Sequence, residues 1–218
     1  MRTLVINGSP KAKTGNTEVF IKQFTKGMKS PCEICYAAKA DRLQLAEYMK
    51  QFDTVLVAMP LYIHAMPGIV MKLIECLEPS SDGGKAMGFI VQSGFMESAQ
   101  SKYLERYLSA LTKRLNYTYL GTVIKGGSAG TYMMPERMNE KLFKQLRMLG
   151  EHFAINGSFH TEVKGELAKP MGLSKGRSRL LQFLSRLGLG DTIFWNMMLK
   201  NNNALNRTFD KPFAEEKL

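Results

Sequence analysis

The residues best suited to chemistry lie in a loop, residues 8–17, that follows the first apolar segment of the chain. Its polar side chains, all able to donate hydrogen bonds, are those of Ser9, Lys11, Lys13, Thr14, Asn16 and Thr17. A short strand is predicted before this loop, and a helix is predicted to begin near residue 16. The first turn of a helix has N–H groups without intrahelical acceptors, and the helix dipole favours negative charge there. The pattern therefore indicates a site for a phosphate monoester.

The spacing within this loop excludes two common nucleotide-binding motifs. The P-loop pattern G-x-x-x-x-G-K-[ST] is missing, and so is the dinucleotide fingerprint G-x-G-x-x-G. An ordinary tight turn before a well-capped helix is the alternative interpretation of this loop.

Two later loops carry groups that could surround a planar ring. Residues 60–64 follow the third predicted strand, and their proline and Tyr62 could form a rigid wall on which a ring stacks. Residues 92–95 follow the fourth strand, where Gly94 permits close approach of the backbone and Ser93 can reach a polar ring edge. Each loop could instead be an ordinary connection whose side chains only pack at the rim.

Five short apolar segments, predicted as strands, alternate with five helical patterns. The strands are expected near residues 3–6, 32–36, 53–59, 87–91 and 117–124, and the helices near 16–28, 43–52, 69–77, 103–111 and 142–153. Strands that are apolar on both faces favour parallel pairing, and right-handed crossovers then give a doubly wound sheet. In the order 2-1-3-4-5, the loops after strands one, three and four would meet in one crevice.

Taken together, the motifs resemble the NADPH-dependent FMN reductase group of the flavodoxin-like superfamily. The resemblance rests on G-S-P-K at residues 8–11, G-N-T at 15–17, P-L-Y at 60–62, and M-P-G at 66–68 followed by Lys72, and it covers about residues 1–155. It implies a flavodoxin-like α/β fold that binds FMN without a covalent bond. The residues that it would place around the cofactor are Ser9, Lys11, Thr14, Gly15, Asn16, Thr17, Pro60, Leu61, Tyr62, Ile63, Ser93, Gly94 and Phe95.

The same resemblance implies an oxidoreductase that passes hydride from NADPH or NADH through FMN to a small-molecule acceptor such as a quinone or a free flavin. Tyr62 and His64 are candidate catalytic residues near the flavin, and the alternative for His64 is an incidental loop histidine. An electron-carrier flavoprotein without its own substrate is one alternative. A basic protein that binds nucleic acid or a membrane surface on the same fold is another.

Composition narrows the class of protein further. The chain has 218 residues, of which 44% are hydrophobic and 22% are charged, as is typical of globular proteins. Its net charge of +11 is not concentrated in a basic tail. No apolar run approaches the roughly 20 residues of a membrane span, and no signal peptide is recognised. We expect a cytoplasmic protein with no nucleic-acid partner and no stable membrane insertion.

Cysteine and histidine patterns predict neither a disulfide framework nor a metal site. Cys32 and Cys35 form a C-x-x-C pair, and the third cysteine, Cys76, lies far from them. The pair could be a redox dithiol or two small buried residues. The three histidines have no spacing typical of metal ligands.

The last quarter of the chain differs from the part before it. We predict a domain over residues 1–156 and a mostly helical extension over 157–218 that packs on the domain or on a partner subunit. An amphipathic helix would end near residue 187, and a second helix over 192–200 would have Asp191 as its N-cap. Attachment to a membrane surface, or a lid over the flavin, is the alternative role. A homodimer is expected from the family resemblance.

Overall fold

The computed structural model describes residues 2–81, 83–187 and 191–210. By its internal contacts the chain divides into two compact units, residues 1–172 and residues 173–218. Residues 157–172 thus belong with the first unit, and the domain limit expected at residue 156 stays a prediction.

The first unit contains a five-stranded parallel sheet in the order β2-β1-β3-β4-β5. Its strands are β1 (Thr3–Asn7), β2 (Glu33–Tyr36), β3 (Thr54–Pro60), β4 (Ala86–Gln92) and β5 (Thr118–Lys125). Its helices are α1 (Asn16–Met28), α2 (Arg42–Met49), α3 (Gly68–Ile74), α4 (Lys102–Arg114), α5 (Glu136–Asn156) and α6 (Thr161–Leu167). This arrangement confirms the predicted flavodoxin-like, doubly wound sheet.

Two core clusters lie on opposite faces of the sheet because successive side chains of a strand alternate in direction. Leu4 and Ile6 of β1 join the cluster beneath α2, α3 and α4, whereas Val5 joins the cluster beneath α1, α5 and α6. Every residue of β1 and β3 is buried, as expected for strands covered on both faces.

Several helix boundaries and one whole helix differ from the predictions. α2 ends at Met49 rather than near 52, and α3 ends at Ile74 rather than near 77. α4 extends to Arg114, beyond 111, and α5 runs from Glu136 to Asn156 rather than from about 142 to 153. The patterns missed α6, a helix of seven residues that is held by burial of Val163 and Leu167 against the core.

α1 and α5 approach each other closely at two glycines. A Cβ atom on Gly27 would clash with the backbone carbonyl of Arg147, and one on Gly150 would clash with the carbonyl of Phe24. Only glycine permits this backbone contact, which fixes α1 and therefore the position of its first turn at the edge of the sheet.

The second unit contains α7 (Lys175–Arg186), α8 (Asp191–Asn201) and a short 3₁₀ turn (Leu205–Arg207). Ser174 caps α7, because its hydroxyl oxygen accepts a hydrogen bond from the N–H of Arg177 at 3.3 Å. The capping contact predicted for the Asp191 side chain lies outside the described residues. None of the helices in the described part of the chain has the length and apolar character that crossing a membrane requires.

Replacing Gly27 or Gly150 with Ala should lower the melting temperature, because the added methyl group has no space between α1 and α5. Overpacking of this kind lowers the free energy of unfolding by about 1–3 kcal/mol, which urea denaturation measures. Gly165→Ala in α6 is the matched control: its Cβ would meet no atom within 4 Å, so no loss is expected. Equal stability of all three variants would contradict the close contact.

Candidate functional site

A crevice opens at the carboxyl edge of the sheet, where the loops after β1, β3, β4 and β5 meet. It is lined by Ser9, Lys11, Gly15, Asn16, Pro60, Leu61, Tyr62, Gln92, Ser93, Gly94 and Tyr132. Nine of these residues are among those that the sequence placed around a cofactor, while Gln92 and Tyr132 are additions. The sheet order explains this, since β1, β3 and β4 are neighbours and all run in one direction.

The crevice is shallow and open to solvent. Its enclosed volume is about 150 Å³, which is less than the roughly 300–1,000 Å³ of pockets that surround a whole ligand. A nucleotide bound here would be held at one end and would keep one side exposed.

The buried side chain of Asn7, the last residue of β1, holds the loop after β1 in shape. Its Oδ1 accepts a hydrogen bond from the N–H of Ser9 at 3.0 Å. Its Nδ2 donates to the carbonyl of Ala12 at 3.1 Å and to Oε2 of Glu18 at 3.0 Å. Asn7 is fully buried, so these bonds satisfy polar atoms that water cannot reach.

Glu18 extends the same network to β2. Its carboxylate is buried; it accepts a hydrogen bond from the Tyr36 hydroxyl at 3.2 Å and lies 3.7 Å from Nζ of Lys22. Desolvation, followed by the charge and the hydrogen bond of Glu18, raises the pKa of Tyr36. The tyrosine therefore stays a neutral donor to the carboxylate at neutral pH.

Some backbone donors at the start of α1 face no acceptor among the described residues. Within residues 2–81, 83–187 and 191–210, the N–H groups of Gly15, Asn16 and Thr17 have no hydrogen-bond partner. Ser9 and Lys11 line the same crevice. This donor set fits the terminal phosphate of FMN, a dianion that needs several donors at one point.

Three side chains predicted as further donors are engaged within the protein instead. Thr14 donates from Oγ1 to the carbonyl of Lys11 at 2.9 Å, and Oγ1 of buried Thr17 accepts from Nε2 of Gln92 at 3.4 Å. Asn16 donates from Nδ2 to the carbonyl of Ser128 at 2.7 Å. Each side chain pairs with a group that a tight loop or a strand end would otherwise leave unsatisfied.

The loop after β5 enters the crevice through Tyr132. Oδ1 of Asn16 accepts a hydrogen bond from the N–H of Tyr132 at 3.0 Å, so the Asn16 amide joins this loop to the start of α1. Nζ of Lys11 lies 5.4 Å from the centre of the Tyr132 ring. The crevice is thus lined by a second aromatic residue besides Tyr62. Nothing in the sequence pattern had indicated this role of Tyr132.

A tight turn after β3 separates Tyr62 from His64. Tyr62 and Ala65 exchange two backbone hydrogen bonds, of 2.9 and 3.0 Å, and the intervening Ile63 and His64 both have positive φ angles, 49° and 63°. Tyr62 lines the crevice and is 46% exposed, whereas Ile63 points into solvent and lies outside it.

His64 lines a different, mainly apolar cavity of about 400 Å³, together with Met71, Tyr103 and Tyr107. Its Nδ1 lies 3.3 Å from the carbonyl oxygen of Gln100. The structure therefore does not bring His64 to the crevice in which a flavin was expected.

The loop after β4 is held by its neighbours. The N–H of Ser93 donates to the carbonyl of Lys125 at 2.9 Å, and the carbonyl of Ser93 accepts from the N–H of Ser128 at 2.8 Å. Gly94 lies in the crevice with space beside it, since a Cβ there would meet only the Ala129 methyl at 3.6 Å. Phe95 is exposed and does not line the crevice.

Sequence reasoning missed Asn7, Glu18, Gln92 and Tyr132. Asn7 and Gln92 had a usable signal, because each is a polar side chain that ends an apolar strand at the edge where ligands bind. Glu18 had none, since a glutamate in a first turn is ordinarily exposed and only stabilises the helix dipole.

The two cysteines of the C-x-x-C pair pack on opposite faces of the sheet. Cys32 packs against the cluster beneath α1, and Cys35 packs against the cluster beneath α2. Burial raises the pKa of both thiols, and the Glu33 charge adds to this for Cys35. Both groups are therefore protonated at neutral pH, which favours packing over redox chemistry.

Comparisons with known proteins agree on the fold. No protein-family model matches the chain, and no curated protein matches it in sequence. An NADPH-quinone reductase from P. pentosaceus is similar in structure, with 19% identity, a TM-score of 0.55, and coverage of 72% of this chain and 99% of the other. An FMN-dependent NADH-azoreductase from Bacillus anthracis, solved with FMN, has 15% identity and a TM-score of 0.55, covering 71% and 100%.

General stress protein 14 from Treponema denticola, also solved with FMN, has 12% identity and a TM-score of 0.53, covering 68% of this chain and 99% of the other. At these identities the likeness shows a shared flavodoxin-like fold.

Replacing Asn7 with Asp should lower the free energy of unfolding by about 3 kcal/mol, because a second carboxylate would face Glu18 and the Ala12 carbonyl without a proton to donate. Denaturation at neutral pH measures this loss. Adding Glu18→Gln should restore much of the stability, since the new amide can donate to the new carboxylate. A stable single variant, or a double variant without recovery, would show that this network does not hold the loop.

Proposed function

We propose that this chain binds FMN in the crevice and acts as an NAD(P)H-dependent oxidoreductase on a small-molecule acceptor. The observation that carries the proposal is the pairing of a phosphate-type donor set, centred on Ser9 and the N–H groups of residues 15–17, with the aromatic wall at Tyr62 in one crevice.

The residues divide into two groups by what they would hold. Ser9, Lys11 and the first turn of α1 would bind the phosphate, with positive charge and N–H dipoles directed at a dianion. Residues 60–62 and 93–94 line the rest of the crevice, where a planar ring would find an apolar wall and free backbone groups. The open side of the crevice would leave one ring face accessible to a second substrate.

Bound FMN would accept hydride from a nicotinamide and pass electrons to an acceptor such as a quinone, a flavin or an azo compound. The chain itself needs to supply binding, orientation and an accessible site. None of the described residues that line the crevice is a histidine, an aspartate or a glutamate. The structural neighbours named as quinone and azo reductases, and those solved with FMN, support this cofactor and this class of reaction.

The net charge of +11 supports a phosphorylated donor, because a positive surface attracts anionic ligands. The same positive net charge argues against an acidic electron carrier without its own substrate. Cytoplasmic localisation, expected from the composition of the sequence, and a homodimer, expected from the family resemblance, remain part of the proposal. Size-exclusion chromatography with light scattering tests the dimer.

Purified protein mixed with FMN should retain the flavin through gel filtration and show its absorbance bands. Addition of NADPH or NADH without oxygen should bleach these bands, and a quinone or azo dye should restore them over many turnovers. Retention of FMN without reduction by either nicotinamide would favour the electron carrier. Failure to retain FMN would overturn the proposal.

Replacing Lys11 with Ala should weaken FMN binding by about tenfold to a hundredfold, the value of one hydrogen bond to a charged group. Riboflavin, which lacks the phosphate, should bind both proteins equally. Lys13→Ala is the matched control, because Nζ of Lys13 lies 5.4 Å from the Tyr36 ring centre and outside the crevice. Fluorescence titration measures all affinities, and equal effects of the two variants would contradict the phosphate site.

A further inference from the structure

The helix α7 of the second unit buries none of its residues. A helix inside a globular unit ordinarily hides an apolar stripe against a neighbour. Here the apolar side chains are instead in contact with solvent: Leu180, Phe183 and Leu187 are 56%, 59% and 54% exposed.

These apolar side chains share one face of α7. With 3.6 residues per turn, Leu180, Phe183, Leu184 and the flanking Leu187 fall within about a third of the helix circumference. One border of this stripe is basic. It consists of Lys175, Arg179 and Arg186, which are spaced four and seven residues apart and therefore lie on one side of the helix.

The charge of α7 has a single sign. Its sequence, KGRSRLLQFLSR, contains four basic residues and no acidic residue. Two copies of such a helix packed face to face would bring cations together without any carboxylate from α7 to neutralise them. A surface rich in negative charge and able to take up apolar side chains is the complement of this helix.

The surface of an anionic lipid bilayer has both properties. A helix of 12 residues is about 18 Å long, too short to span the roughly 30 Å hydrocarbon core but suited to lying in the interface with its apolar face inserted. α8, in the same unit, adds the exposed Trp195, which is 58% accessible, and tryptophan is enriched at such interfaces.

We propose that α7 binds the surface of an anionic membrane, with Leu180, Phe183 and Leu187 in the headgroup boundary and its basic residues beside the lipid phosphates. This function is separate from the cofactor crevice, and it does not depend on FMN. Peripheral attachment of this kind would bring the protein to lipid-soluble molecules dissolved in the bilayer.

Co-sedimentation of the full chain with vesicles tests the proposal. Binding is expected to vesicles that mix phosphatidylserine with phosphatidylcholine, to be much weaker with phosphatidylcholine alone, and to decline as salt is added. Trp195 is the only tryptophan in the sequence, and its emission should shift to shorter wavelength as the vesicles bind. Equal binding to both vesicle types, or none to either, would overturn the proposal.

Two pairs of variants separate α7 from the general positive charge of the protein. The double variant Lys175→Gln with Arg179→Gln should weaken vesicle binding about 25-fold. Each neutralised residue contributes about fivefold to this loss. Lys26→Gln with Lys144→Gln removes the same charge from exposed positions on α1 and α5 and should change binding less than twofold. Equal losses in the two double variants would assign binding to net charge and overturn the role of α7.

Leu180→Ala tests the apolar contribution and should weaken binding about tenfold. Ile155→Ala, at an exposed position of α5, is its matched control and should have no effect. If vesicles do not bind, and Leu180→Ala instead converts a dimer to a monomer in light scattering, the face is an interface between copies of the chain and the membrane proposal is wrong.

Discussion

The geometry of the crevice depends on the buried amide of Asn7. β1 ends at this residue, and its side chain has no contact with solvent, so each polar atom must find its partner inside the protein. Its bonds to the N–H of Ser9, the carbonyl of Ala12 and the carboxylate of Glu18 join a strand, a loop and the first turn of a helix. The loop is therefore held in one shape before any ligand binds, which lowers the entropy that binding must remove.

Polar side chains near the crevice mostly connect loops rather than project as ligands. The amide of Asn16 holds the carbonyl of Ser128 and the N–H of Tyr132, and the hydroxyl of Thr17 holds Gln92. The donors at the start of α1 that have no partner among the described residues are backbone N–H groups, which are fixed by the helix that bears them. A site of this kind is specified by the position of α1, and the glycine contacts between α1 and α5 set that position.

The turn after β3 directs the Tyr62 ring and the His64 imidazole into different cavities. Ile63 adopts a φ angle of 49°, a costly conformation for a β-branched residue, and the two backbone bonds between Tyr62 and Ala65 hold it there. The result is that Tyr62 and His64, two residues apart in sequence, line separate cavities.

The sequence alone predicted five parallel strands that alternate with helices, because short apolar runs and helical periodicity are local properties of the chain. The strand order, and with it the convergence of three loops, followed from the order known for doubly wound sheets and from the family resemblance. The sequence could not determine the partners of Asn16, which lie more than 100 residues away, the entry of Tyr132 into the crevice or the direction of His64. It also missed α6, a helix too short to be stable without the core contacts of Val163. Only the tertiary structure decided these features, since each depends on which distant groups are brought within hydrogen-bonding or packing distance.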